Sequence, residues 1–275
     1  VRGEGTLEAP RLEALTLWSG VSLGPLRLGS GAGGFLLDSD ALSLSLASLE
    51  ETYSLSGIVK DLSGSGEVDA ELYLSGFLLS SIFREGSGVP DIALDGAVAL
   101  SGSVDSMLVD GALSANMAPS FNATVELSGG VRPPDGDAPI RLTFDVESRD
   151  ATRSGVELPF DARLVLDGSE LSVRRARISD FCEAELTLGL DDRGALSAGL
   201  VVSEARLPDL LRAAFGDAPG DIDGLLFASV SLRGSVREPV GSAQVQVGGG
   251  SAMGVGGLDA AAVVRVTGRT LGIEE

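Results

Sequence analysis

Histidine is missing from all 275 residues, and cysteine (Cys182) and lysine (Lys60) each occur once. Without histidine the usual Ser-His-acid triad cannot be built. With no histidine and one thiol, a zinc or copper site is excluded as well. A lone cysteine forms no internal disulfide, and its reading is that of a small buried hydrophobe. Basic side chains are scarce overall, 20 Lys+Arg against 40 Asp+Glu, and the net charge of -20 repels a phosphate backbone, which excludes nucleic acid as a partner. Aromatics make up only 4%. No run of 18 apolar residues offers a membrane-spanning helix, no signal peptide is visible, and the sequence begins at Val1 and not at Met. The chain is accordingly read as one continuous segment, 1–275, of a longer protein.

Aliphatic side chains and glycine are abundant. Hydrophobic residues reach 44% and glycine numbers 38, which describes a folded chain that turns often. The dominant pattern is period-two alternation in short runs. "ALSLSLASL" puts Leu42, Leu44 and Leu46 on one face against Ser43 and Ser45. "RLTFDVES" sets Leu142, Phe144 and Val146 against Arg141, Thr143, Asp145 and Glu147. Leu72/Leu74, Val98/Leu100, Leu164/Leu166, Leu186/Leu188 and Val245/Val247 repeat the pattern, each run bounded by turn residues. One apolar and one wet face predict an all-β, antiparallel fold.

The chain also repeats a local signature. "LSGIV" at 55–59, "LSGSV" at 100–104, "LSGGV" at 127–131 and "LRGSV" at 232–236 share the form Leu-x-Gly-x-Val. Their spacing is irregular, so no strict solenoid period exists. Glycine there predicts a recurring corner where one strand ends and the next begins. In "SVSLRGSVREPVGSAQVQV", Val230 and Leu232 alternate with serines, and Val245 and Val247 resume the pattern beyond the break at Gly234 and Pro239. One helix is predicted near 207–215, with Leu207, Leu210, Leu211 and Phe215 as an apolar stripe, Pro208 in the first turn and Gly216 as the stop. Short and amphipathic, it reads as a cap or plug for an apolar surface.

Three motifs suggest chemistry and fail on context. "GVSLG" at 20–24 matches a nucleophile elbow around Ser22 but has no histidine partner. "GSGAGG" at 29–34 fits a dinucleotide loop, yet a strand pattern follows where a helix is needed. "DIDG" at 221–224 resembles the middle of a calcium loop, but Pro219 and Val230 occupy ligand positions. The remaining carboxylates read as solvated charge. No catalytic residue, metal or cofactor is expected, and the chain reads as a non-enzyme.

The 44 residues from Leu207 to Gly250 resemble the TamB and AsmA-like family of bacterial envelope proteins: a short helix, a "DG" turn at Asp223–Gly224, a strand ending Leu-x-Gly-x-Val-x-x-Pro, and a further alternating strand. The resemblance implies a long folded-over β-sheet with an open hydrophobic groove, in the periplasm. It also implies phospholipids as cargo between inner and outer membranes, and as partners an outer-membrane TamA-like barrel and an inner-membrane anchor. The alternating leucines and valines would then line the groove. Two other readings stay open. The same faces could seal against each other in a closed β-sandwich, or the chain could be an outer-membrane assembly factor or an adhesive envelope protein carrying no lipid.

Overall fold

In the computed structural model, residues 1–6, 10–23, 26–82, 91–117, 121–134, 139–189, 194–217, 220–236, 238–252, 254–268 and 270–274 are described. The chain forms two compact units, Val1–Pro119 with Thr124–Phe144, and Ser120–Ala123 with Asp145–Glu275. The first carries β1 (Arg2–Gly5), β2 (Pro10–Leu23), β3 (Leu26–Asp38), β4 (Ala41–Ser48), β5 (Tyr53–Lys60), β6 (Glu67–Leu78), a 3-10 turn (Leu79–Ile82), β7 (Ala93–Ser103) and β8 (Ser106–Met117). The unit boundary falls within β9 (Phe121–Arg132) and β10 (Arg141–Ser148). The second unit carries β11 (Thr152–Arg153), β12 (Val156–Glu157), β13 (Phe160–Asp167), β14 (Glu170–Ile178), β15 (Cys182–Gly189) and β16 (Ala195–Arg206). It continues with helix α1 (Leu207–Phe215), then β17 (Ile222–Ser235), β18 (Pro239–Ala252), β19 (Val255–Thr267) and β20 (Thr270–Glu274).

The fold is all-β and antiparallel, and the sheet does not close into a barrel. In the first unit β1 to β8 pair in sequence order, and in the second β13 to β20 do the same. Tight hairpins make this order possible. At the turn from β11 to β12, Ser154 and Gly155 have φ of 52° and 75°, the two left-handed residues that a type I′ turn requires.

The Leu-x-Gly-x-Val signature serves two purposes. Gly102 and Gly234 are corners as expected, with φ of 115° and 109° near the ends of β7 and β17. A Cβ on either would stand 2.7 Å from the carbonyl oxygen four residues on, Ser106 and Glu238 respectively. Gly57 and Gly129 instead lie inside β5 and β9, which corrects the uniform corner reading. A Cβ on Gly57 would strike Ala70, and one on Gly129 would stand 2.8 Å from the Phe144 ring. They are mid-strand clearances for the neighbouring strand.

Burial is shallow. Among the described residues no large side chain is fully buried; the best shielded large hydrophobes include Val98 and Val109 at 5% exposure and Leu74 at 7%. Two sealed sheets would bury their facing leucines, and here, Leu74 apart, those leucines are only partly buried. Within each unit something short partly roofs the sheet. The 3-10 turn after β6 reaches β3, beyond β4 and β5, and α1 touches β12 as well as β16 and β17. Truncating Val98 to Ala removes two methyl groups from the best shielded row. It is expected to cost about 2 kcal/mol, read as a lower urea midpoint at unchanged slope.

Candidate functional site

Directly opposed residues in an antiparallel pair project to the same face, so the strand registers trace rows across each sheet. In the first unit one row runs Leu37, Leu42, Val59, Val68, and the next Phe35, Leu44, Gly57, Ala70, Leu100, Val109. A third runs Gly33, Leu46, Leu55, Leu72, Val98, Gly111, and Leu74 sits opposite Tyr53 and Gly96. Tyr53 meets Phe77 edge to face, with ring centroids 6.1 Å apart. Leu142 and Phe144 are half-buried on β10, with Phe144 over Gly129; Val146, on the same strand, belongs to the second unit and is half-buried too.

In the second unit Leu166 opposes Leu171, which opposes Leu188. The neighbouring row runs Leu164, Val173, Leu186, Ala198, Leu232, Gly241, Val266. Leu200, Val230, Ala243 and Val264 follow, and then Ile178, Cys182, Val202, Ala228, Val245, Ala262. Ala205, Leu226, Val247 and Ala260 complete the set. The registers place Leu42, Leu44, Leu46, Leu72, Val98, Leu100, Leu164, Leu166, Leu186, Leu188, Val230, Leu232, Val245 and Val247 in rows within their own units, and none of these rows contains a charged side chain. Ser231, between Val230 and Leu232, is exposed.

The other face is not uniformly polar. Leu15 and Leu17 are each 80% exposed, and Tyr73, Leu108, Val201 and Phe227 also face solvent. On the same outward side Val165 and its partner Ser172 are buried. Alternation alone shows neither feature, because it reports a face without saying what lies over it.

Helix α1 is built by familiar local rules. Pro208 lies in its first turn, and Asp209 there pairs with Arg212 at 3.4 Å and Arg206 at 3.8 Å. Gly216 ends it in the left-handed conformation, its N–H donating to the Arg212 carbonyl at 2.8 Å. Leu210 packs against the cluster of Cys182, Val202 and Ala205, while Leu207 and Leu211 are half-buried. Phe215 departs from the expected stripe: it is 80% exposed, and Ala213 is the residue the helix buries. At the last helical residue the ring points into solvent. Phe215→Ser is therefore expected to change stability by no more than about 0.5 kcal/mol in a thermal melt.

Two recesses flank this helix cluster. One, of about 410 Å³, spans β16 to β19 and is lined by the outward-side residues Phe227, Ser229, Gln244, Gln246, Ala261 and Val263 around Val202, Ala228, Val245 and Ala262. The other, about 270 Å³, lies between α1, β12 and the turn after β14, and mixes Glu157, Asp180, Glu204, Asp209 and Arg206 with Phe181 and Leu210. Burial, and secondarily the charge of Glu183, push the Cys182 thiol above its ordinary range, so it stays neutral at physiological pH.

The three failed motifs take structural positions. Ser22 lies in β2, inside a paired strand and not on a strand-to-helix elbow. Gly29–Gly34 lie within β3, where Gly31 and Gly33 make room for Trp18 and Leu46. Asp223 accepts a hydrogen bond from the backbone N–H of Gly224. Among the described residues no three carboxylates, cysteines or histidines gather into a metal-binding group. No family model, no curated protein and no solved structure matches the chain.

Proposed function

We propose that the chain binds phospholipid acyl chains on its aliphatic faces and conducts them between the inner and outer membranes of a bacterial envelope, within the periplasm. The observation that carries this reading is the set of uncharged rows whose leucines, Leu74 apart, are only partly buried, with no second sheet over them among the described residues. An acyl chain has no hydrogen bonds to satisfy, and each buried methylene gains about 0.8 kcal/mol, so equivalent rows hold a chain while letting it slide. The -20 charge stays off these rows, where each unpaired group would cost several kcal/mol once an acyl chain covered it. A TamA-like barrel and an inner-membrane anchor are the partners this function requires at its two ends. Native mass spectrometry of the protein purified from a bacterial envelope tests the reading. Co-purified phospholipid is expected, and ligand-free protein that also fails to take up lipid from vesicles would overturn it.

A second reading, as an assembly factor for outer-membrane strands, is favoured by one feature. From Ala14 to Leu23, β2 has no partner strand on its β1 side among the described residues, and this ten-residue edge carries no charge. Natural edges usually carry charge or proline that discourages pairing. A tight complex with unfolded barrel protein, formed without lipid, would select this reading.

A further inference from the structure

We infer that the outward side of β16 to β19 carries a binding site for a neutral carbohydrate, formed at the recess of about 410 Å³. This site lies on the face opposite the aliphatic rows, so it goes beyond the acyl-binding reading and does not depend on it. The strand registers set its outward lining as a grid of two rows. Phe227 opposes Gln246, which opposes Ala261, and Ser229 opposes Gln244, which opposes Val263. Opposed residues share a face, and the two rows are two residues apart. The grid therefore measures about 7 Å along the strands and about 10 Å across them, a footprint suited to a sugar ring or a linked pair.

The grid selects a ligand by what it offers and by what it withholds. The amides of Gln244 and Gln246 and the hydroxyl of Ser229 can each donate and accept hydrogen bonds, and none of the three has a partner among the described residues. Beside them the Phe227 ring is 38% exposed. The lining contains no charged side chain, so a phosphate, a carboxylate or an amine finds no counter-charge, and the net charge of -20 opposes anions further. A peptide that binds by adding a strand has no place here either, because across the grid the backbones of β17 and β18 are paired on both sides. An acyl chain would cover the amides and leave them unpaired, which is costly. What fits is a neutral molecule with hydroxyl groups at its rim and an apolar C–H face. A pyranose has both: its hydroxyls answer the amides, and its C–H face lies on the electron-rich face of the phenyl ring.

Saturation-transfer NMR tests the site, with maltotriose, cellotriose and the trimer of N-acetylglucosamine each titrated to millimolar concentration against the full chain. At least one of the three is expected to bind. Phe227→Ala is expected to weaken that binding at least tenfold, and Gln246→Ala at least threefold. Tyr73→Ala removes another exposed aromatic ring, on the outward side of the first unit and opposite Ser54 and Ala97, and should leave binding unchanged. Far-UV circular dichroism checks that each variant keeps its strands, and the exposed Gln246 decides the matter should Phe227→Ala fail to fold. Absence of transfer to all three saccharides overturns the site. Binding that survives both substitutions overturns it too, as does an equal loss from Tyr73→Ala, which would show adhesion to any exposed ring.

Discussion

Leu232→Asp is expected to leave a folded protein that no longer holds an acyl chain, whereas Ser231→Asp behaves as the parent. Leu232 lies in a row between Ala198 and Gly241, and it is partly buried, not sealed. A carboxylate there is reached by water in the empty protein, so its cost to folding is about 1–3 kcal/mol. The cost becomes large only when an acyl chain arrives and strips that water, because an unpaired charge against hydrocarbon costs several kcal/mol. Lipid capture should fall at least tenfold while the melting curve moves by a few degrees. Ser231 projects to the opposite, solvated side of β17, and its replacement adds one more charge to a surface that already carries many. A photoreactive residue at 232 should crosslink to lipid, and one at 231 should not. Unfolding of Leu232→Asp would identify the row as sealed core, and crosslinks from 231 alone would reverse the assignment of faces.

Much of this surface is legible in the sequence because strand periodicity is a local property. Once Leu42, Leu44 and Leu46 alternate with serine, the pleat puts them on one side, and the same holds from β4 to β18. The ends of α1 are equally local, set by Pro208 and Gly216. What the sequence conceals depends on partners distant along the chain. The Leu-x-Gly-x-Val motif looks the same at Gly57 as at Gly102. Yet one glycine clears the neighbouring strand at Ala70 and the other turns a corner against Ser106. Phe215 fits a helical stripe by spacing, but the helix ends before a surface is there to receive it. The burial of Val165 and Ser172 on the outward side, and the exposure of Leu15 and Leu17, follow from which neighbours cover each strand, and no alternation encodes that.

Gly31→Val is expected to be among the most damaging single changes in the first unit, and it carries its own optical report. The glycines of "GSGAGG" form a slot on β3, with Gly31 opposite Trp18 on β2 and opposite Ser48 on β4. A Cβ at Gly31 would overlap the Trp18 indole and stand 2.5 Å from the Ala47 carbonyl oxygen. The backbone oxygen cannot retreat without parting β3 from β4, so the indole must leave and the ladder must stretch together. Overpacking of this kind costs about 1–3 kcal/mol where side chains alone adjust, and more where backbone must move, so about 3 kcal/mol or more is expected. Trp18 is the only tryptophan, so its emission reports the slot alone. Ejection should shift that emission to the red in the native state, before any denaturant is added. Gly34→Ala is the control: three residues along the same strand, its Cβ would meet only the Leu15 Cδ2 at 3.6 Å, an ordinary contact. It should leave the emission unchanged and the stability within about 1 kcal/mol. Equal losses from both substitutions would mean that β3 tolerates no side chain at its glycines for backbone reasons, and the indole slot would be abandoned.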